Sequence, residues 1–362
     1  MQDGWDVHVV SGPGRRLESL RPVNGVTVHE LSMARETSLF RDLAALWRWL
    51  KLIRQVRPEV TLIGTPKAAL LGTVAARAFR VPYRVYELLG LRLETSVGPS
   101  RWVYRLMERL TAASAHDVVA VSESLRMLAI DLGITKFGHS SVLGAGSCNG
   151  VDTARFRQIS QDTTTTEYWS NYLGIDDQIP VVGFVGRLTR DKGLPELAGA
   201  LSILHDSGLE LQLLVVGMVD DDSGHDALNL LNRTGQRIIS AGYQDDVAPF
   251  YALMDVFCLP SLREGLPNVI LEAMASRRVV VATDATGSRD LVEDGVSGYL
   301  VPLGSENELA YALRKALLDR DASASMVESA LEMVEARYET SEVQFTIRKF
   351  LRSGLEARTS KA

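Results

Sequence analysis

The sequence predicts an α/β protein made of Rossmann-like, doubly wound parallel sheets. Short apolar strand candidates alternate with helical segments along the whole chain, a pattern typical of parallel sheets covered by helices on both faces. With 362 residues, the chain is long enough for two such domains. A hydrophobic content of 46% and a charged content of 23% are those of a globular protein.

The strand candidates are short runs rich in β-branched residues and bounded by Gly, Pro or polar residues. They span residues 6–10, 26–29, 60–63, 83–86 and 117–121 in the first half and 181–185, 211–216, 256–259 and 279–282 in the second. Helices are expected between them, for example at 39–56, 66–78 and 194–205. Residues 161–167 contain four consecutive threonines and are expected to form an exposed loop.

The segment 261–275 is the most informative part of the chain, because it places Glu264 and Glu272 eight residues apart across a Gly-Leu-Pro turn. A strand pattern precedes the turn, and Pro267 suits the first turn of the helix pattern that follows. Glu264 is therefore predicted at the carboxyl end of a strand, where open parallel sheets bind ligands. Two carboxylates suit a ligand that offers hydroxyl groups, such as a nucleotide sugar. The alternative is an ordinary strand–loop–helix with surface glutamates.

A second loop, between Gly186 and Gly193, follows another strand pattern and carries Arg187 and Lys192 five residues apart. Arg supplies a planar fork of donors and Lys a compact charge, so that together they can hold both phosphates of a nucleotide diphosphate. The cations would then take the phosphates and leave the glutamates for hydroxyl groups. A basic surface loop without a ligand is the alternative.

The composition limits where the protein works. No uninterrupted apolar run reaches the roughly 18 residues of a membrane span, and the N-terminus lacks the layout of a signal peptide. Two distant cysteines, Cys148 and Cys258, fit a reducing compartment, and six scattered histidines give no zinc pattern. The sequence therefore predicts a cytoplasmic protein without a metal or other cofactor.

The net charge of −6 hides two halves of opposite sign. Residues 1–150 hold 19 Lys and Arg against 13 Asp and Glu, whereas residues 151–362 hold 20 against 32. The basic half is expected to meet something anionic. Because the sequence carries no motif of a nucleic-acid reader, a membrane surface or a phosphate-bearing acceptor is the favoured partner.

The sequence EGLPN at 264–268, followed by LEAMA at 271–275 and GVSGYLVP at 295–302, resembles the donor-binding half of a family 4 glycosyltransferase. The resemblance covers nearly the whole chain and implies the GT-B fold, in which two Rossmann-like domains face each other across a cleft. It assigns residues 1–155 to an acceptor-side domain and 156–340 to a nucleotide-sugar domain. Residues 341–362 would form a helix that crosses back to the first domain.

The resemblance implies a retaining, metal-independent transferase of hexosyl or N-acetylhexosaminyl groups. Its donor would be a UDP-linked sugar, and its acceptor a lipid-linked saccharide in cell-surface polysaccharide synthesis. Arg187 and Lys192 would stabilise the leaving diphosphate, while Glu264 orients the hydroxyls of the sugar. Glu272 would accept hydrogen bonds from the ribose. The donor-binding residues implied by the family motifs are Gly186, Arg187, Lys192, Glu264, Gly265, Leu266, Pro267, Asn268 and Glu272.

The sequence defines the residues that would bind the acceptor less clearly than those that would bind the donor. Lys67, Arg92 and Glu94 are candidate acceptor contacts, with structural roles as the alternative. The resemblance implies that the leaving phosphate itself takes the proton of the acceptor, without a separate protein base. The family often carries a histidine where this chain has Leu89. Two other functions stay open, namely a sugar-nucleotide epimerase of the same fold and an inactive sugar-nucleotide-binding protein.

The opening segment departs from the family pattern. Residues 1–10 match the second strand of the family, and the βα unit that usually precedes it is absent. Because that first strand is central in a doubly wound sheet, its loss is expected to leave unpaired backbone groups inside the sheet. The expected cause is a start codon assigned too late or a truncation.

Two further segments have competing readings. Helix 39–57 would group Arg41, Arg48 and Lys51 on one face beside Trp49, which could rest on anionic lipid headgroups. The alternative is a helix that packs on its sheet with a solvated face. The aspartates at 220–222 suggest a metal site, but three consecutive carboxylates cannot all face one ion, and a solvated loop is expected there.

Overall fold

The computed structural model describes residues 4–33 and 38–360, in which strands and helices alternate as predicted. The strands are β1 (Val7–Ser11), β2 (Val26–Glu30), β3 (Val60–Ile63), β4 (Tyr83–Leu88), β5 (Asp117–Ala120), β6 (Ser140–Val142), β7 (Val181–Val185), β8 (Gln212–Val216), β9 (Arg237–Gly242), β10 (Val256–Leu259), β11 (Val279–Thr283) and β12 (Tyr299–Val301). The helices are α1 (Arg15–Glu18), α2 (Leu39–Val56), α3 (Pro66–Ala78), α4 (Pro99–Ser114), α5 (Glu123–Asp131), α6 (Thr153–Ser160), α7 (Thr163–Leu173), α8 (Leu194–Asp206), α9 (Asp222–Leu231), α10 (Ala248–Tyr251), α11 (Asn268–Ala275), α12 (Glu306–Leu318), α13 (Arg320–Arg337) and α14 (Thr340–Thr359).

The second half of the chain contains one parallel sheet of six strands, in the order β12-β11-β10-β7-β8-β9. β7 is buried at every position, since β10 and β8 flank it on either side. The chain runs outward from β7 to β9 in one direction and then from β10 to β12 in the other. The strand order therefore reverses between β7 and β10, and ligands bind at such a switch point in open α/β sheets.

The first half is divided into two parallel sheets. β1 pairs with β2, and a second sheet has the order β3-β4-β5-β6. β1 and β3 both line a cavity of about 600 Å³, which Trp49 and Ile53 of α2 also contact. Within the described residues, β1 and β3 each pair on one edge only, in agreement with the unpaired edges that the sequence predicts.

The last helix, α14, leaves the second half and packs on the first. Phe350 and Leu351 contact Tyr83 and Val85 of β4, and the rings of Phe350 and Tyr83 lie 6.1 Å apart. Gly354 permits this close approach, because a Cβ there would lie 2.3 Å from Cζ of Tyr83. The chain thus contacts its first sheet again after completing the second.

The loop predicted at 161–167 is wrong, since α7 begins at Thr163. Asp162 caps this helix, and its carboxylate accepts hydrogen bonds from the backbone N–H groups of Thr164 and Thr165. Trp169 then packs on Phe250, with ring centroids 4.7 Å apart. The cap and this tertiary contact outweigh the low helix propensity of threonine.

Candidate active site

The two loops singled out in the sequence lie together at the switch point of the second sheet. Arg187 and Lys192 follow β7, and Glu264 follows β10, which pairs directly with β7. Gly193 brings the two loops into contact, because a Cβ there would lie 1.8 Å from the carbonyl oxygen of Pro260. Its φ of 68° is in the left-handed region, which glycine adopts without strain. The geometry therefore agrees with the predicted strand-end position of these side chains.

Lys192 and Glu264 form a direct ion pair. Nζ of Lys192 donates a hydrogen bond to Oε1 of Glu264 at 2.5 Å. Only 18% of the lysine side chain and 11% of the glutamate side chain are exposed, so that solvent screens the pair weakly. The structure thus joins two side chains that the sequence assigned to different parts of a ligand.

Arg187 is also paired with a carboxylate. Its Nη1 donates to Oδ2 of Asp220 at 2.7 Å, and the guanidinium side chain is 57% exposed. The Asp220 side chain is only 9% exposed, so that the solvated loop predicted for this residue is wrong. A parallel bridge between Leu188 and Val219 holds the two segments together. From Asp222 onward the acidic run belongs to α9.

The acidic run is not arranged as a metal site. In the part of the chain that the structure describes, residues 4–33 and 38–360, no group of three or more His, Cys, Asp or Glu side chains is placed to hold a metal ion. Asp220 instead accepts a hydrogen bond from the guanidinium of Arg187.

Glu272 lies on the second turn of α11, below the switch point. Its Oε2 accepts a hydrogen bond from the hydroxyl of Tyr251 at 2.8 Å, and burial raises the pKa of its carboxyl group. Tyr251 is fully buried, which fixes the carboxyl group in place. The sequence did not indicate Tyr251, because it lies 21 residues before Glu272 on another helix. Glu272 is thus a half-buried, oriented acceptor of hydrogen bonds.

The first half of the chain contacts the loop that carries Glu264. Oγ of Ser122 donates to the carbonyl oxygen of Gly265 at 2.6 Å, and Nε of Arg263 donates to Oγ1 of Thr95 at 3.1 Å. A Cβ on Gly265 would lie 1.9 Å from the carbonyl oxygen of Leu89. These contacts place the first half directly against the candidate donor site.

The residues predicted for the acceptor side separate into two groups. Lys67 and Arg92 line a cleft of about 850 Å³ that Arg187 borders from the other half. Lys67 pairs there with Asp42 at 2.8 Å. Glu94 lies between the halves instead, where Oε2 accepts a hydrogen bond from Oγ1 of Thr286 at 2.6 Å and burial raises the pKa of its carboxyl group.

Two family models match the chain. The model described as "Glycosyl transferases group 1" covers residues 179–319, and the model described as "Glycosyl transferase 4-like domain" covers residues 1–136. Among curated proteins, the chain is 33% identical over 334 residues to the capsular polysaccharide biosynthesis glycosyltransferase CapM of Staphylococcus aureus. The aligned region covers 92% of this chain and 86% of CapM. It is 25% identical to the UDP-Gal:alpha-D-GlcNAc-diphosphoundecaprenol alpha-1,3-galactosyltransferase of Escherichia coli, over 80% of this chain and 74% of that protein.

Among solved structures, the chain is similar to HepE of Anabaena in complex with UDP-glucose. The TM-score is 0.79 at 21% sequence identity, over 96% of this chain and 91% of HepE. This likeness, together with the parallel sheets and the cleft between the two halves, shows the GT-B fold, and the family models and CapM show that its class is that of the glycosyltransferases. Within that class, the chain belongs to the family 4 glycosyltransferases, as the motif at 264–275 predicted.

Proposed function

We propose that the protein is a retaining, metal-independent transferase that moves a sugar from a UDP-linked donor to a lipid-linked saccharide in cell-surface polysaccharide synthesis. The observation that carries this proposal is the half-buried pair of Lys192 and Glu264 beside Arg187 at the switch point. The similarity to CapM, a capsular polysaccharide glycosyltransferase, and to the Escherichia coli galactosyltransferase, which acts on a diphosphoundecaprenol-linked sugar, supports a polysaccharide pathway and a polyprenyl-diphosphate acceptor. The complex of HepE with UDP-glucose supports the choice of nucleotide.

The proposed reaction uses the two cations on the leaving group. Breaking the bond between sugar and diphosphate develops negative charge on the phosphate, which Arg187 and Lys192 stabilise more strongly in the transition state than in the bound donor. As the phosphate engages Lys192, Glu264 becomes available to a hydroxyl of the sugar. Leu89 offers no titratable group at the acceptor side, and the leaving phosphate takes the proton of the acceptor hydroxyl.

A donor screen with the purified protein tests this function. The protein is expected to bind UDP in a calorimetric titration and to transfer sugar from a UDP-sugar to a polyprenyl-diphosphate-linked saccharide with retained anomeric configuration, in the presence of EDTA. Conversion of the donor without an acceptor would instead indicate an epimerase. UDP binding without transfer to any acceptor would indicate an inactive binding protein.

Glu272 is proposed to hold the ribose of the donor. Replacing Glu272 with Gln is expected to weaken UDP binding about tenfold, because a hydrogen bond to a charged acceptor contributes roughly 1.5–3 kcal/mol and the amide retains part of it. Calorimetric titration of UDP measures the effect. Exchange of the exposed Glu332 for Gln on α13 is the matched control. Unchanged UDP affinity in the Glu272 variant would remove this residue from the donor site.

We further propose that the first half rests on an anionic membrane surface. On α2, Phe40 and Trp47 are exposed by 85% and 63%, and on α4 Trp102 is exposed by 67%. We call these two helix faces the α2–α4 surface. Trp49, which the sequence placed beside the basic face, is only 4% exposed and belongs to the core, so that this part of the prediction is wrong. No helix within residues 4–33 and 38–360 has both the length and the apolar character of a membrane span.

The α2–α4 surface combines these aromatics with cations on the same helices, among them Arg101, Arg105 and Arg109 on α4. Exposed aromatic side chains and arginines together suit the interface of a bilayer with anionic headgroups. The cleft of about 850 Å³ also contains residues of α4, on the helix face opposite Trp102.

Exchange of both Trp47 and Trp102 for Ser is expected to abolish flotation with phosphatidylglycerol vesicles, because burial of each indole in the interface is lost. The wild type should float at low ionic strength and sediment at roughly 1 M salt, where charges are screened beyond about 3 Å. Tyr311, which is 64% exposed in the acidic half, provides the control exchange Tyr311→Ser. Wild-type protein that stays in the pellet at low salt would refute the surface.

A further inference from the structure

Helix α4 has two functional faces. The face opposite the exposed Trp102 carries Tyr104, Met107, Glu108 and Thr111, and all four line the cleft of about 850 Å³. Their spacing of three and four residues puts them on one stripe of the helix. Glu108 is the acidic member of this stripe and is only 6% exposed.

Glu108 has an unusual environment for a carboxyl group. Its Oε2 accepts a hydrogen bond from the hydroxyl of Tyr86 at 2.5 Å, and Tyr86 itself is fully buried in β4. No Lys or Arg of the described residues forms an ion pair with Glu108, and burial raises the pKa of the carboxyl group to about 7. A buried carboxyl group with one neutral partner is costly to maintain, and such groups concentrate at functional sites.

The charges around the cleft define what Glu108 can bind. Lys67, Arg92, Arg187 and Arg263 line other parts of the same cleft. Asp220 lines it as well and pairs with Arg187, so that cations remain in excess there, which disfavours a cationic ligand and suits a diphosphate. Next to Glu108 itself, the carboxyl group disfavours an anion. The group that fits between the cations and Glu108 is therefore neutral and donates a hydrogen bond, as the hydroxyl of a saccharide does.

We propose that Glu108 anchors the acceptor saccharide, with Oε2 fixed by Tyr86 and Oε1 accepting a hydrogen bond from a hydroxyl of a neutral sugar. Tyr104, half-buried one turn earlier on α4, borders the same sugar. This inference rests on the proposed function and assigns a subsite for the acceptor, whereas Glu264 and Glu272 belong to the donor. The acceptor class is a neutral saccharide on a diphosphate.

The double exchange Glu108→Leu with Tyr86→Phe separates this role from a structural one. It replaces both partners of a buried hydrogen bond with apolar groups of similar shape, which is often neutral or stabilising for the fold. The probe is farnesyl-diphospho-N-acetylglucosamine, and its binding to the UDP-saturated protein is measured by saturation-transfer NMR and calorimetry. The double variant is expected to unfold at or above the wild-type temperature while the Kd for the probe rises about tenfold to a hundredfold.

Two further measurements complete the test. The Kd for UDP should not change in the double variant, and Tyr104→Ala should also weaken the probe without lowering the unfolding temperature. Probe binding within twofold of wild type in the double variant, or no probe binding by the wild type, would overturn the acceptor subsite. A wild-type protein that does not bind UDP would refute the proposed function instead, so that the two failures are distinguishable.

Discussion

Replacing Glu264 with Gln or Lys192 with Met is expected to lower the turnover number of sugar transfer about 100- to 1,000-fold. Lys192 supplies positive charge where the leaving phosphate becomes more negative, and the loss of one such preorganised donor costs that much in other enzymes. The exchange of Glu264 is expected to lower the turnover number by the same factor, because Glu264 both positions Lys192 and orients the sugar. Turnover measured at saturating donor and acceptor tests both variants.

The ion pair itself supplies the control. Either single exchange leaves a half-buried charge without its partner and is expected to destabilise the fold, by less than the about 3–5 kcal/mol that breaking a fully buried pair costs. The double variant Lys192→Met/Glu264→Gln removes both charges and should recover much of this free energy of unfolding, yet it should stay inactive. A double variant that regains turnover along with stability would show that the pair is structural only.

Replacing Gly265 with Ala is the second exchange with a large expected effect. The added Cβ would lie 1.9 Å from the carbonyl oxygen of Leu89 and 3.2 Å from Cγ2 of Val121, so that the two halves must move apart. The hydrogen bond from Ser122 to the carbonyl oxygen of Gly265 would then lengthen or break. Since a displacement of about 1 Å can cost about 100-fold in rate, we expect a loss of that order in kcat/KM.

Gly138→Ala is the matched control for this exchange. Gly138 also belongs to the first half, and a Cβ there has no atom within 4 Å. Small-angle scattering of the two variants should show a more open molecule only for Gly265→Ala. A Gly265→Ala protein with wild-type kcat/KM would contradict the closeness of the two halves at the donor loop.

The repeated pattern of strand and helix made most of the fold predictable. Strands such as β7 and β10 are continuous apolar runs, and their bounds agree with the sequence prediction because both faces are buried. Three strands were missed, namely β6, β9 and β12. β6 and β12 have only three residues each, too few for a recognisable pattern, and β9 contains a register shift opposite Val215 and Val216.

The candidate site was predictable only in part. Arg187, Lys192 and Glu264 could be placed at strand ends, because strand ends follow from local patterns. Their partners depend on tertiary contacts that no local pattern encodes: Asp220 lies 33 residues from Arg187, and Glu264 lies 72 residues from Lys192. The same limit explains why Tyr86 and Glu108 were missed.

The error in predicting which tryptophan of α2 is exposed has a similar origin. Both residues lie on α2, but the rotation of the helix on its neighbours decides which indole meets the core. Trp49 contacts the region around β3 and Gly72, whereas Trp47 points outward, where Lys51 lies 5.7 Å from its ring. Residues two positions apart lie on nearly opposite sides of a helix, so that the two indoles flank the basic face of α2 from either side and only Trp49 meets the core.

A crystal structure of the protein with bound UDP tests the central claim most directly. We expect the diphosphate at the switch point between β7 and β10, with its oxygens within hydrogen-bonding distance of Arg187 and Lys192 and the ribose hydroxyls on Glu272. Glu264 should then have released Lys192 to the phosphate. A nucleotide bound elsewhere, such as in the cavity between β1 and β3, with the pair of Lys192 and Glu264 unchanged, would contradict the proposed donor site.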